Sequence, residues 1–196
     1  MQAARGTSLS DATDPHPPRP RHSRARLTAL FAGIALAAYA VDVGTKILAV
    51  SRLSGQPDVP LIGDLLVLHL TRNPGAAFST GTEYTVVLTC VAMVAVLIVL
   101  YLSRRLGTVA WAVALGLLLA GVGGNLTDRL FRAPGPMRGH VIDFLMLPNW
   151  PVFNVADMCI DVAAALILVQ AFRGIRIDGG RTVEKRKPKP EPEPER

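Results

Sequence analysis

Four long apolar segments constrain the fold of this 196-residue chain more than any other feature. They cover about residues 27–50, 84–102, 108–124 and 152–172. A helix needs roughly 20 mostly apolar residues to cross the hydrocarbon core of a bilayer. We therefore predict an all-α membrane protein with four transmembrane helices.

A short apolar run between the first two spans has a different character. Residues 65–70 lie between Gly63 and the turn-forming sequence Asn73-Pro74-Gly75, and the run is too short to cross a membrane. The pattern favours a strand that belongs to an interfacial hairpin or a small sheet. We therefore predict a small extracytoplasmic β segment between helices 1 and 2.

The net charge of +6 resides entirely in the two ends of the chain. Residues 1–26 and 173–196 each carry an excess of three positive charges, whereas the region between them is neutral. This distribution argues against a phosphate-binding groove, so no nucleic-acid partner is expected. We predict a disordered N-terminal tail at 1–26, a four-span domain at 27–173, and a disordered tail rich in proline and charge at 174–196.

The distribution of lysine and arginine predicts the orientation in the membrane. With both termini in the cytoplasm, fifteen basic residues lie on the cytoplasmic side and five on the opposite side. The positive-inside rule favours this arrangement, which places 51–83 and 125–151 outside. A cleaved signal peptide that ends at Ala38-Tyr39-Ala40 is an alternative, but the apolar sequence that continues to Val50 fits an uncleaved span better.

Polar residues gather at the predicted outer ends of these spans. Asp42 and Lys46 are four residues apart and would share a helix face, either as an ion pair that orients the helix or as part of a site. Asn125, Asp128 and Arg129 would share a face if the third helix continues beyond its glycines. Each ionised group costs roughly 2.5–3.5 kcal/mol on insertion into a membrane, so such a cluster indicates a function.

Two further aspartates lie in the second outer segment and at the start of the fourth span. Asp143 stands within an apolar hexapeptide, and Asp157 follows Asn154 by one turn near a helix N-terminus. Prolines separate the two acids, but a folded loop can bring the carboxyl groups together. Two adjacent carboxylates share a proton near neutral pH, so one can act as a base on water while the other acts as an acid. This pairing predicts an aspartic-protease mechanism without metal or cofactor.

Five motifs occur in the order found in one known family. They are Asp42-Val-Gly-Thr45-Lys46, Asn73-Pro-Gly75-Ala-Ala77-Phe78, Gly124-Asn125-Leu-Thr-Asp128-Arg129, Val141-Ile142-Asp143-Phe144 and Phe153-Asn154-Val155-Ala156-Asp157. With these residues the chain closely resembles the lipoprotein signal peptidases, also called signal peptidase II, over about residues 27–172.

The resemblance implies an aspartyl endopeptidase of the bacterial inner membrane. Its substrates would be diacylglyceryl-modified prolipoproteins, cut just before the lipidated cysteine, and globomycin-type inhibitors should block it. Asp143 and Asp157 correspond to the family's catalytic pair. The supporting polar positions correspond to Asn73, Asn125, Asp128, Arg129 and Asn154, with Asp128 paired to Arg129. A monomer in contact with membrane lipid, its active site near the outer leaflet, is expected.

Two other classes of protein remain to be weighed against this one. A proton-coupled small membrane transporter would also place acids within the membrane. The acids of this chain cluster at one face instead of forming a path across it, and four spans leave little room for such a path. A structural scaffold would leave the polar cluster without a purpose.

Overall fold

The computed structural model describes residues 23–75 and 84–182, which form four helices and a three-stranded sheet. The four helices are long and apolar enough to cross a membrane, which confirms the predicted fold class. The elements, in chain order, are α1 (Arg24–Leu53), β1 (Val59–Ile62), β2 (Leu66–Asn73), α2 (Thr85–Ser103), α3 (Val109–Phe131), β3 (Val141–Met146) and α4 (Val155–Phe172).

Side-chain caps define where α1 and α3 begin. The Ser23 hydroxyl accepts a hydrogen bond from the backbone N–H of Arg26, so α1 begins three residues before the predicted span. The Thr108 hydroxyl likewise accepts from the backbone of Trp111 at the start of α3. This helix continues to Phe131, well past the predicted end at residue 124. Its extra two turns carry the polar residues of the site.

Helix α3 lies at the centre of the bundle and packs against the other three helices. Glycines allow this close packing. A Cβ atom at Gly121 would collide with the backbone oxygen of Ala156 in α4, and one at Gly116 would crowd the backbone oxygen of Phe31 in α1. The glycines near the end of the third span therefore serve tight helix packing, as their sequence pattern suggests.

The sheet has the strand order β1-β2-β3, and both strand pairs are antiparallel. The predicted β segment between helices 1 and 2 is therefore present. Its third strand, however, comes from the connection between α3 and α4, which the sequence had suggested was a loop. In the register of β2 with β3, Thr71 faces Asp143 and Asn73 faces Val141. This pairing anchors the strand that carries Asp143.

Apolar side chains form one cluster at each end of the bundle. Near the sheet, Ala49 and Leu53 of α1 pack against Ile142 and Phe144 of β3. This packing holds β3 against the end of α1. The other cluster fills the opposite end and consists of Leu27, Phe31, Val99, Leu106, Trp111, Ala112 and Leu115.

The chain remains packed beyond the predicted domain boundary at residue 173. Ile175 and Ile177 contact the second apolar cluster, and the indole N–H of Trp111 donates a hydrogen bond to the carbonyl of Ile175 (3.1 Å). The backbone N–H of Gly107 donates to the carbonyl of Ile177 (2.8 Å). Ile175 and Ile177 are two residues apart, and both apolar side chains pack against this cluster. The remaining parts of the predicted tails, 1–22 and 183–196, lie outside the described residues.

Candidate functional site

Asp143 lies on β3 with its carboxylate held by two side-chain amides. Only 3% of the residue is exposed. The amide of Asn154 donates to Oδ1 (2.6 Å), and the amide of Asn73 donates to Oδ2 (3.0 Å). Strand pairing and the start of α4 therefore hold this acid from two sides.

Asp157 lies in the first turn of α4, where it forms a reciprocal cap with Asn154. Its Oδ2 accepts from the backbone N–H of Asn154 (3.1 Å), and its own N–H donates to the side-chain oxygen of Asn154 (3.0 Å). Its Oδ1 accepts from the amide of Asn125 on α3 (2.8 Å). The helix N-terminus also favours a negative charge at this position.

Asn154 connects the two acids directly. Its amide nitrogen donates to Asp143, while its oxygen accepts from the backbone of Asp157. The side chain is completely buried, so this bridge is shielded from water. The structure therefore brings together the two carboxylates that the sequence identifies as candidate acid and base.

Lys46 forms a buried ionic centre next to the two candidate acids, Asp143 and Asp157. Its Nζ atom lies 2.9 Å from a carboxylate oxygen of Asp42 and 3.0 Å from one of Asp128, and it donates to the side-chain oxygen of Asn125 (2.9 Å). Lys46 and Asp42 are both fully buried. Asp42 also accepts from the backbone N–H of Ala156 in α4 (2.9 Å). The Asp42–Lys46 pair therefore joins three helices and reaches Asp157 through Asn125.

The predicted pairing of Asp128 with Arg129 is wrong. Asp128 pairs with Lys46 and with Arg132, and it accepts from the backbone N–H of Ile142 on β3 (3.2 Å). Residues one apart on a helix point in different directions, whereas Asp128 and Arg132 lie four apart on one face. Sequence analysis missed Arg132, although this spacing could have revealed it. Asp128 thus ties α3 to the strand that carries Asp143.

Arg129 points toward the candidate acids without bonding to them. Its Nη2 atom donates to the carbonyl of Gly75 (3.1 Å). Its buried Nε–H has no hydrogen-bond partner within the described chain. A buried donor without a partner is costly, so this atom is available for a group that enters the site.

A cavity of about 530 Å³ exposes both acids, and we call it the aspartate cavity. Asn73, Asn125 and Arg129 also line it, as does Asp161, which lies one turn beyond Asp157. The volume is typical of a cleft that binds a ligand. Its apolar wall consists of Val141, Leu147, Trp150, Pro151, Val152, Phe153, Met158 and Ile160.

Burial raises the pKa of Asp143 to about 6, well above its ordinary value. The amide hydrogen bonds from Asn73 and Asn154 oppose this shift, whereas the nearby charge of Asp157 adds to it. Asp143 can therefore carry a proton at pH values where an exposed aspartate would not. A buried carboxyl that carries a proton can act as a general acid, and a second carboxylate in the same cavity can act as a base on water.

The structure brings all nine predicted site residues to one end of the bundle. Arg129 lines the aspartate cavity, and a network of hydrogen bonds and ion pairs links the other eight residues. Phe78, the last residue of the second motif, lies outside the described residues. The linked residues are Asp42, Lys46, Asn73, Asn125, Asp128, Asp143, Asn154 and Asp157.

Comparison with known families and proteins gives a consistent match over most of the chain. A family model described as Signal peptidase (SPase) II matches residues 34–173. A lipoprotein signal peptidase of Mycobacterium avium is 48% identical over 177 residues, which cover 90% of this chain and 92% of that protein. One from Streptomyces griseus is 45% identical over 152 residues, which cover 78% of this chain and 76% of that protein.

Two solved structures share the fold at lower sequence identity. Both are described as bacterial membrane enzymes. One superposes with a TM-score of 0.66 at 20% identity and covers 84% of this chain and 98% of its own. The other superposes with a TM-score of 0.64 at 21% identity, and the match covers 78% of this chain and 96% of that chain. The arrangement of helices and sheet is therefore one that a bacterial membrane enzyme adopts.

Proposed function

Because this chain belongs to the signal peptidase II family, we propose that it removes signal peptides from diacylglyceryl-modified prolipoproteins in the bacterial inner membrane. The proposed reaction is aspartyl endopeptidase cleavage just before the lipidated cysteine. One observation supports this mechanism above all others. Asp143 and Asp157 line the same cavity and share Asn154 as a hydrogen-bond partner.

The environments of the two acids suggest different roles. Asp157 lies at a helix N-terminus, and its two oxygens accept hydrogen bonds from the Asn125 amide and the Asn154 backbone, so it is placed to act as an acceptor. Burial favours the protonated form of Asp143. We assign Asp157 as the base that takes a proton from water and Asp143 as the acid that donates a proton to the carbonyl oxygen.

The remaining proton movements follow from this assignment. Attack of the water oxygen on the carbonyl carbon gives a tetrahedral intermediate, with one proton on Asp157 and the former Asp143 proton on the intermediate. When the C–N bond breaks, the leaving amine takes the proton from Asp157, and Asp143 recovers a proton from the collapsing hydroxyl. Both aspartates return to their starting states, and no metal or covalent intermediate is needed.

The walls of the aspartate cavity suit a lipidated peptide. Apolar residues such as Val152, Met158 and Ile160 can contact acyl chains or the apolar signal sequence. The partnerless Nε–H of Arg129 can donate to a peptide carbonyl in the same cavity. These features favour a substrate that enters sideways from the bilayer. The outer strand segment is proposed to clamp it from above, with Asn73 or Phe78 lining the cleft. Crosslinks from residues 73–78 to bound substrate would support this clamp, and their absence would count against it.

The distribution of basic residues supports an orientation with both termini in the cytoplasm. The end of the bundle that carries Asp143 would then face the outer leaflet, where a secreted prolipoprotein presents its modified cysteine. A proton-coupled transporter is less well supported. Among the described residues, the end of the bundle remote from Asp143 is filled by an apolar cluster around Phe31 and Trp111 instead of continuing a polar path.

Cleavage of a lipidated prolipoprotein peptide by the purified protein tests the proposal. Asp143→Asn and Asp157→Asn should each reduce turnover at least about 100-fold, the usual loss for an acid or base group. Asp161→Asn is the matched control, because it makes the same chemical change one turn away in the same cavity. It should retain most of the activity.

Three further outcomes bear on the same proposal. Near-normal turnover by either dyad variant would contradict the assigned mechanism. Cleavage that persists in a chelator fits the metal-free reaction, whereas loss of activity that added zinc restores would argue against it. A globomycin-type inhibitor should protect the wild-type protein against thermal unfolding and should block cleavage. If it does neither, the predicted sensitivity to this inhibitor is wrong.

A further inference from the structure

A second cavity lies at the same end of the bundle as Asp143 but on the other side of the sheet. It has a volume of about 330 Å³, and we call it the basic cavity. Three basic side chains line it, those of Arg72, Arg132 and His140. Its apolar wall includes Val50, Phe131 and Ile142.

The basic cavity is separate from the aspartate cavity, and the two share no lining residue. Strand alternation explains the separation, because neighbouring residues of a strand point to opposite faces. Val141 and Asp143 line the aspartate cavity, whereas Ile142 lines the basic cavity. On β2, Asn73 and Arg72 divide in the same way.

The charge of the basic cavity is not balanced by its own walls. No aspartate or glutamate is among its lining residues in the described chain. Arg132 pairs with Asp128, but Asp128 is also paired with Lys46. Arg72 is exposed and takes part in no ion pair with another described residue. The cavity therefore presents positive charge to whatever enters it.

The position of this cavity is that of a bilayer interface. Val50 is in the last turn of α1, and Phe131 is the last residue of α3, with 81% of its surface exposed. These two residues therefore mark the level at which two spanning helices leave the hydrocarbon. Ile47 lies one turn before Val50 on the same face of α1 and is 59% exposed, which continues the apolar surface toward the membrane interior.

We propose that the basic cavity binds the phosphate of an anionic phospholipid. Arg72 and Arg132 contact the phosphate oxygens, a geometry that guanidinium groups favour, and an imidazole N–H of His140 can donate to the same group. The acyl chains then lie along the exposed side of α1 over Val50 and Ile47. This site requires only that α1 and α3 cross the membrane, and it does not rest on the proposed peptidase function.

Lipid retention by the purified full-length protein tests the site. The protein is exchanged into nanodiscs of phosphatidylcholine with or without phosphatidylglycerol, and retained lipids are counted by native mass spectrometry. We expect wild type to retain phosphatidylglycerol in preference to phosphatidylcholine. Arg72→Gln should weaken that preference roughly fivefold, the effect of one arginine near an anionic headgroup. Arg138→Gln is the matched control, because Arg138 is exposed on a nearby loop and does not line the cavity.

Each result supports or overturns the lipid site. Equal retention of the two lipids by wild type overturns it, as does an equal loss of preference in Arg72→Gln and Arg138→Gln. Glycerol 3-phosphate in the buffer separates a headgroup alone from an intact lipid. If it stabilises the detergent-solubilised protein as much as phosphatidylglycerol does, with the same dependence on Arg72, the ligand is a soluble phosphate and the lipid assignment fails. An unchanged melting temperature of Arg72→Gln in detergent without added lipid shows that the variant is folded.

Discussion

The ammonium group of Lys46 donates a hydrogen bond to the side-chain oxygen of Asn125 (2.9 Å), and this contact determines which way the amide points. Lysine has no acceptor, so the oxygen of Asn125 must face it. The nitrogen is then directed to Asp157, to which it donates (2.8 Å). A charge on α1 therefore orients the donor that holds a candidate catalytic acid on α4.

Replacing Lys46 with methionine tests the buried ionic centre. The substitution leaves Asp42 and Asp128 close together without their shared cation. Removing one partner of a buried ion pair typically costs about 3–5 kcal/mol, so the melting temperature in detergent should fall sharply.

Arg52→Met is the matched control for that experiment. Arg52 lies in the last turn of the same helix and is exposed. Its loss should change the free energy of unfolding by less than about 0.5 kcal/mol. Similar melting temperatures for the Lys46 and Arg52 variants would show that the buried centre does not stabilise the bundle.

Asn125→Asp should impair turnover while preserving the shape of the side chain. One new carboxylate oxygen still accepts from Lys46, but the other faces Oδ1 of Asp157. Two like charges about 4 Å apart repel by about 4 kcal/mol at an effective dielectric constant of about 20, so we expect at least a 100-fold loss of kcat. Because the added negative charge favours protonation of the neighbouring carboxyl groups, the apparent pKa values of the pH–rate profile should rise.

Asn149→Asp makes the same chemical change at an exposed position outside this network. Its backbone has a φ of 58°, a conformation that aspartate tolerates better than most residues. Normal kinetics in this control, together with an altered pH profile in Asn125→Asp, would locate the effect at the acids. An unchanged profile in Asn125→Asp would argue that Asn125 does not touch the reacting groups.

The raised pKa of Asp143 predicts how stability depends on pH. The folded protein binds the Asp143 proton up to a pKa of about 6, whereas the unfolded chain releases it near 3.8. Asp143 therefore favours folding fully below the unfolded value, and this contribution is lost as the pH rises through 6. Asp143→Asn cannot titrate, so its stability should improve relative to wild type between pH 4 and pH 7.5, by up to about 3 kcal/mol.

Thermal unfolding of both proteins across that pH range measures the effect. The difference between their melting temperatures, rather than either value alone, isolates Asp143. Asp161→Asn, which removes an exposed acid from the same cavity, is measured in parallel as the control for loss of a carboxylate there. A constant difference between wild type and Asp143→Asn would show that burial does not hold the proton on Asp143.

Local sequence signals predicted the helices of this fold well, since an apolar span requires no knowledge of its neighbours. They did not predict β3. The six residues of Val141–Met146 form a strand because they pair with β2, about 70 residues earlier in the chain. The end of α3 was also placed too early, because its last two turns are polar and bury Asn125 and Asp128 only through tertiary contacts.

The residues of the candidate site were predictable from the sequence, but their connections were not. Short motifs identified Asn125 and Asn154, whereas the direction of each amide depends on partners elsewhere in the fold, Lys46 for one and Asp143 for the other. The pairing of Asp128 with Arg132 could have been predicted, since the two residues are four apart on one helix. It was missed because the predicted helix ended before both.

Gly121→Ala tests whether close approach of α3 and α4 supports the site. A Cβ atom there would strike the backbone oxygen of Ala156 and lie 2.7 Å from Ile160, and a backbone atom cannot rotate away. Overpacking of this kind typically costs about 1–3 kcal/mol. It would also push the start of α4, which carries Asp157, away from Asn125. We therefore expect both a lower melting temperature and a reduced kcat.

Gly44→Ala provides the matched control, because a Cβ atom at that position of α1 meets nothing within 4 Å. Alanine favours a helix over glycine by about 1 kcal/mol, so this variant should be neutral or slightly more stable, with normal cleavage. If both variants behave alike, the close packing of α3 on α4 does not position Asp157. If only Gly121→Ala loses activity, and loses it more than its stability alone explains, the distance between these two helices is what keeps Asn125 within hydrogen-bonding reach of the acid.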